Sequence, residues 1–292
     1  MLHEVDLMGV THDKVQRAID RLRAFEPPEG YYVAFSGGKD SQCIYHLCKQ
    51  AGVKFDAHYN VTSVDPPELV RFVREQYPDV SRDIPRDKNG QPITMWSLIV
   101  KNGIPPTRSA RYCCRELKET SGKGRLTVTG VRWAESVNRA KKQGFVNAFD
   151  GPTLNNDNTE TRRYVEQCYH TRKTLINPIV DWSTSDVWEY LNDVAKVSHC
   201  SLYDEGLERL GCIGCPLAGA KQQKKQFGRW PIYRENYLRA FGRMIENLPT
   251  ENRRNFTSAQ AVMDWWLREN IEKPLEGQMS MWEMDKDANS DD

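Results

Sequence analysis

Tyr31-Tyr32-Val33-Ala34-Phe35 is an uncharged run of aromatic and β-branched residues that passes without a break into Ser36-Gly37-Gly38-Lys39-Asp40-Ser41 and then a helical pattern over 42–50, closed by Gly52. A run of that kind suits a strand buried on both faces of a parallel sheet, and a glycine just past a helical pattern is a common helix stop. A second strand pattern follows at 55–61, and Asp65-Pro66-Pro67-Glu68 opens a helix reaching about Gln76, with proline in its first turn. Strand, helix, strand, helix in this order implies an α/β fold: a parallel sheet flanked by helices, with ligands bound beyond the strand C-termini. The glycine-rich turn lies at that place.

The remaining chain is read the same way. Val15, Ile19, Leu22 and Phe25 recur at helical spacing among charges, and Pro27-Pro28 ends that helix. Residues 77–92, rich in Pro, Asp, Arg and Gly, read as irregular. Helical patterns over 94–103 and 109–119 lead through Gly122 and Gly124 to a third strand at 126–131. Residues 144–173 carry turn formers and weak periodicity, as in an insertion or hairpin, and Ser183 or Thr184 caps a helix bearing Val187, Trp188 and Leu191. Helices are expected at 232–247 and 258–268, with Trp265, Trp266 and Trp282 as core or interface anchors. The expected organisation is an N-terminal helix in 1–27, a main domain over 28–220, a helical region over 221–274 and an acidic, disordered tail over 275–292.

The hexapeptide 36–41 is built to hold an anion. Two glycines let the backbone aim successive N–H groups at one point, and the helix that follows adds the positive end of its dipole. Ser36 and Ser41 add hydroxyls, Lys39 a charge, and Asp40 a carboxylate able to orient Mg²⁺ or its waters. The spacing matches neither G-x-x-x-x-G-K-[ST] nor G-x-G-x-x-G. A strand end also leads into Gly130-Val131-Arg132-Trp133-Ala134-Glu135-Ser136, with Arg139 beyond. Arg132 and Arg139 suit phosphate or sulfate oxygens, while Glu135 could fix one guanidinium fork.

Eight cysteines need a compartment before they can be interpreted. The first residues, with His3, Glu4 and Asp6, do not read as a signal, and no apolar run approaches the roughly 18 residues of a membrane span, so a cytoplasmic protein is expected. There, thiols are core residues, metal ligands or reactive groups. Cys113 and Cys114 are adjacent, and Cys212 and Cys215 form a C-x-x-C. That spacing permits structural zinc, an iron–sulfur cluster, a redox disulfide or core thiols. Cys43, Cys48, Cys168 and Cys200 have no local motif and read as core thiols, with a catalytic role open for Cys168 or Cys200.

The hexapeptide after its strand resembles the PP-loop of the adenine nucleotide α-hydrolase-like superfamily, which includes ATP pyrophosphatases and phosphoadenosine phosphosulfate (PAPS) reductases. Three later segments are similar to family motifs: Gly130 to Arg139, Asn177-Pro178-Ile179-Val180-Asp181-Trp182 with Asp186-Val187-Trp188, and Leu202-Tyr203 followed by Gly211-Cys212-Ile213-Gly214-Cys215. The resemblance covers about residues 28–220 and implies a Rossmann-like, HUP-type fold with helical additions at both ends. It implies an adenine-nucleotide site at Ser36, Gly37, Gly38, Lys39, Asp40, Ser41, Gly130, Arg132, Glu135, Ser136 and Arg139, with Lys39, Asp40 and Arg132 in catalytic roles and Mg²⁺ as a cofactor. Cys113, Cys114, Cys212 and Cys215 are similar to the [4Fe-4S] ligands of adenosine phosphosulfate (APS) reductases.

Two departures bear on the reaction. The chain has no cysteine after Cys215, where the reductases carry their nucleophile, and its loop is intact, as in members that split ATP. The expected activity is therefore ATP cleavage to AMP and pyrophosphate, adenylylating an acceptor for sulfur transfer. APS or PAPS reduction, and a nucleotide-binding iron–sulfur sensor or partner subunit without turnover, are the alternatives. A nucleic-acid acceptor, or a partner protein supplying sulfur or electrons, is the expected partner; no membrane is expected, and a homodimer stays open. The totals of 41 Lys and Arg against 40 Asp and Glu conceal opposed patches: residues 101–142 hold eleven basic and three acidic residues, and the last 18 hold six acids and one Lys.

Overall fold

The computed structural model describes residues 2–5, 11–135, 165–168, 173–249 and 256–268. They form two compact units that are not consecutive in sequence. Met1–Val61, Pro67–Asp83 and Thr120–Leu210 make the first; Thr62–Pro66, Ile84–Glu119 and Gly211–Asp292 make the second. Residues 84–119, which the sequence reading places within one 28–220 domain, thus group with the C-terminal part.

The first unit opens with a small antiparallel pair, β1 (His3–Val5) and β2 (Thr11–Asp13), which the sequence reading did not anticipate. Asp13 then caps α1 (Lys14–Ala24), its carboxylate accepting from the Val15 and Gln16 amides. Lys14 is buried at the start of this helix and reaches Asp186 Oδ2 at 2.8 Å.

The sheet holds six strands in the order β5-β4-β3-β6-β8-β7: β3 (Tyr31–Ala34), β4 (Phe55–Asn60), β5 (Ser81–Asp83), β6 (Thr127–Val128), β7 (Val165–Cys168) and β8 (Lys173–Ile176). All pairings are parallel except β7 with β8. Tyr31, Tyr32 and Val33 on the central strand are buried, as their lack of charge implied. Between the strands run α2 (Lys39–Ala51), closed by Gly52 at φ +70°, and α3 (Pro67–Gln76). From β3 the chain builds outward through β4 to β5, then returns to lay β6 on the other side of β3. The order therefore reverses between β3 and β6, the topological switch where parallel α/β sheets form their ligand crevice.

Four local expectations need correction. The 77–92 stretch is not wholly irregular, because Ser81–Asp83 pairs with His58–Asn60 as an edge strand. The third strand is only two residues long, since Gly130 and the turn beyond leave the ladder. β8, a sheet strand, went unrecognised beside the hairpin expected in 144–173; the hairpin pairing is seen between β7 and β8. The loop helix begins at Lys39, inside the motif, rather than at Gln42. The helix expected from Ser183 or Thr184 spans Thr184–Glu189, with Ser183 as its cap.

The second unit contains α4 (Met95–Asn102), α5 (Tyr112–Cys114) running into a π-helical turn Arg115–Glu119. After α6 (Thr184–Glu189) of the first unit come α7 (Ala220–Arg229), α8 (Pro231–Asn247) and α9 (Ala259–Trp266) of the second. Tyr237, Phe241 and Met244 of α8 form its buried centre, and Trp266 donates to Pro106 O at 2.7 Å, a core anchor as expected. Trp282 and the 275–292 tail lie outside the described residues. Among the described residues, no helix is long and apolar enough to cross a membrane.

Candidate functional site

The 36–41 loop leaves the C-terminal end of β3 and becomes the first turn of α2. Gly37 has φ +75°, and a Cβ there would lie 2.6 Å from Val73 Cγ2 and 2.7 Å from Leu69 Cδ1 of α3. Both the backbone conformation and the helix beside it therefore demand glycine. Gly38 caps α2 with φ −80°. Ser41 Oγ donates to Gly38 O at 2.8 Å, and Ser36 Oγ to Ser41 Oγ at 3.2 Å. The Lys39 amide donates to Tyr203 Oη at 2.9 Å. Lys39 is 4% exposed; its ammonium donates to Glu208 O at 3.0 Å and lies 5.6 Å from the centre of the Tyr203 ring.

Gly130 brings a second strand end against this loop. A Cβ on it would lie 2.9 Å from the carbonyl carbon and oxygen of Asp40, so β6 and α2 approach through bare backbone. Two residues on, Arg132 is 2% exposed, and its Nε donates to Asp40 Oδ1 at 2.7 Å while Nη1 donates to Trp182 O at 3.2 Å. The carboxylate held against Arg132 is thus Asp40. Glu135, expected to fix one guanidinium fork, lies 3.5 Å from Arg209 Nη2. Asp40 also has the Lys39 ammonium 3.7 Å from its other oxygen. The chemistry of its carboxylate fits a magnesium ion or its waters.

Lys39, Arg132 and Glu135 line a cavity of ≈ 700 Å³. That volume lies within the range of small-molecule sites. Trp188, His199 and Tyr203 complete it; the Trp188 and Tyr203 rings meet edge to face, 5.0 Å apart. The fold therefore assembles Ser36, Gly37, Gly38, Lys39, Asp40, Ser41, Gly130, Arg132 and Glu135 in one region. Ser136 and Arg139 lie outside the described residues. Tyr203, Glu208 and Arg209 were missed as site residues. The Leu202-Tyr203 motif was visible, but nothing in its local chemistry says that the phenol reaches a loop far back in the chain.

The second unit contains all four paired cysteines. Cys113 and Cys114 lie on α5, and Cys212 and Cys215 bracket a tight turn in which the Cys215 amide donates to Cys212 O at 3.3 Å. Gly214 in that turn has φ +74°, and a Cβ there would meet Phe227, Tyr237 and Trp266 at 2.8–3.2 Å. All four thiols are free and half-buried. They sense one another: hydrogen bonding with Cys114, then burial and the charges of Cys114, Cys212 and Cys215, push the Cys113 thiol up. Cys114 is drawn down by the hydrogen bond from Cys113, and Arg111 and Lys118 add to that. Among the described residues, no three of His, Cys, Asp and Glu converge in a way that holds a single metal ion. The donor set itself, four thiols with basic neighbours and an aromatic floor under Gly214, fits the ligation of an iron–sulfur cluster. Cys43, Cys48 and Cys200 are buried in the first unit, as core thiols are, and burial pushes each thiol up. Nothing is described of the Cys168 side chain.

Residues 30–218 match the phosphoadenosine phosphosulfate reductase domain. An uncharacterized protein of Methanocaldococcus jannaschii is 31% identical over 202 residues, 63% of this chain, and the match spans only 41% of that protein's length. An adenosine 5′-phosphosulfate reductase of Oceanobacillus iheyensis is 23% identical over 191 residues, 62% of this chain and 68% of that protein. Among solved structures, the phosphoadenylyl-sulfate reductase of Candida auris in a phosphate complex aligns with a TM-score of 0.46 and 17% identity, covering 67% of this chain and 87% of that one.

Proposed function

This chain belongs to the phosphoadenosine phosphosulfate reductase family, and from that premise we propose that it binds ATP in the 36–41 loop and cleaves it between the α- and β-phosphates. The observation that carries this reading is the intact Ser-Gly-Gly-Lys-Asp-Ser loop at the sheet's switch point, joined through Asp40 to Arg132 on the wall of one cavity. In the proposed step, a nucleophilic atom of the acceptor bonds to the α-phosphorus, the bond from that phosphorus to the bridging oxygen breaks, and its electron pair leaves with pyrophosphate. The acceptor's proton passes to solvent and AMP stays on the acceptor. Water as acceptor gives free AMP. Lys39, the helix N-terminus and the Ser36 and Ser41 hydroxyls, turned from their bonds within the loop, stabilise the charge gathering on pyrophosphate, with Arg132 near the α-phosphate.

Cys113, Cys114, Cys212 and Cys215 would hold a [4Fe-4S] cluster, which supplies electron or sulfur chemistry when bound. The charge of the second unit favours a nucleic acid as acceptor. Its described residues carry fifteen Lys and Arg against seven Asp and Glu, and Lys221, Lys224, Lys225 and Arg229 of α7 are exposed. A partner protein delivering sulfur or electrons belongs to the same reading.

A second reading, reduction of APS or PAPS, draws on the relatives named as adenosine 5′-phosphosulfate reductases, 21–23% identical over 62–78% of this chain. One experiment separates the two. Anaerobically purified protein is incubated with ATP, or with APS or PAPS plus thioredoxin, and the products are identified. AMP and pyrophosphate from ATP, strongly slowed by Lys39→Ala, support the proposal. Sulfite from APS or PAPS establishes the second reading, and ADP with orthophosphate overturns the first.

A further inference from the structure

Tyr203 contacts the loop at the first turn of α2. The amide of Lys39 lies in the first turn of α2, where the helix dipole favours an anion, yet its hydrogen bond goes to a neutral phenol oxygen at 2.9 Å. That oxygen accepts one bond and still carries its own proton. Among the described residues, no acceptor for that proton is found. The ring is a wall of the same ≈ 700 Å³ cavity that Lys39 and Arg132 line. The Lys39 ammonium lies over its face, and Trp188 meets it edge to face.

We infer that Tyr203 is a phosphate ligand of this site: its hydroxyl accepts the Lys39 amide and donates its proton to a phosphate oxygen of the bound nucleotide. A phenol in this place hands the helix's positive end one atom farther into the cavity, because a hydroxyl that accepts from a polarised amide becomes a better donor. The proton is there to donate, since burial pushes the phenol above its ordinary range, an effect reinforced by the Asp40 charge and only partly offset by the Lys39 amide. The competing role is a stopper, in which the hydroxyl occupies the phosphate's place and must leave before the ligand enters. The two roles have opposite signs. Removing a ligand weakens phosphate binding, whereas removing a stopper strengthens it.

The inference rests on the reading that the loop takes a nucleotide, so the test measures both. Full-length protein is titrated calorimetrically with ATP, inorganic pyrophosphate and adenosine, and Tyr203→Phe, which keeps the ring and its contacts, is compared with wild type. Affinity for ATP and pyrophosphate is expected to fall about tenfold, the worth of one charge-assisted hydrogen bond, with adenosine unchanged. Unchanged or tighter pyrophosphate binding in the variant overturns the inference while leaving the nucleotide reading intact. Wild-type protein that binds neither ATP nor pyrophosphate overturns both. Replacing Tyr203 by 3-fluorotyrosine, a stronger donor, gives an answer even where Phe perturbs folding: pyrophosphate binding should tighten, and no gain counts against the inference.

Discussion

Arg132 Nε donates to Asp40 Oδ1 across 2.7 Å, joining the turn after β6 to the first turn of α2 with a guanidinium that is 2% exposed. The bond spans 92 residues of sequence and crosses the switch point of the sheet. It fixes where the arginine can present charge to the cavity.

Asp40→Asn should leave that guanidinium buried without its counter-charge. A destabilisation of about 3 kcal/mol is expected, read as a lowered urea midpoint at unchanged slope. Arg132→Lys should also weaken ATP binding, since an ammonium cannot serve Asp40 and the Trp182 carbonyl with the same fork. Wild-type stability in Asp40→Asn would show that the pair is not structural.

The two loop glycines should respond differently to alanine. Gly37→Ala places a methyl 2.6 Å from Val73 Cγ2 at φ +75°, so at least a tenfold loss of ATP affinity and about 1–3 kcal/mol of stability are expected. Gly38→Ala meets nothing nearer than Tyr203 Oη at 3.4 Å and keeps an ordinary φ, so its fold should hold. Paired thermal melts and ATP titrations distinguish them, and equal effects at both positions would refute the difference.

His46 gives a pH signature. Burial pushes its imidazole down to about 4, with Lys49 adding to the effect and Asp79 opposing it, while the ring keeps a 3.1 Å contact with Tyr77 Oη. The unfolded chain takes this proton near pH 6.5. Because the unfolded state binds more protons between those values, stability should rise with pH from about 4 to about 6.5 and this contribution should be complete above that window. His46→Gln should flatten the rise by on the order of 2–3 kcal/mol, measured by denaturant unfolding at a series of pH values. An unchanged slope would place its origin elsewhere.

Anaerobically purified protein should be brown and contain iron with acid-labile sulfide, and Cys215→Ser should reduce both. Chelating the iron should bleach the colour and lower the melting temperature, because a ligand bound only by the folded state stabilises it. Zinc without iron would eliminate the cluster.

The α/β class and the strand, glycine turn and helix of 31–51 were legible because the signals behind them are local. The apolar run of β3, the two glycines and Gly52 each act on the residues beside them, and the family motifs lie in their expected order. The paired cysteines were legible for the same reason, as pairs. Short strands escaped notice: Ser81–Asp83 and Lys173–Ile176 carry too few residues for a two-residue period to register and exist because a neighbouring strand offers them a ladder. Which carboxylate meets Arg132, and that Tyr203 bonds to an amide 164 residues away, depended on the order in which strands were laid into the sheet. The amino-acid sequence by itself determined that this chain makes a strand, a glycine turn and a helix in succession, because backbone angles and hydrophobic period act over a few residues. Only the tertiary structure decided the partners of Asp40, Glu135 and Lys39 and the assembly of two units from alternating segments, because those pairings join groups that only the packed sheet brings within hydrogen-bond reach.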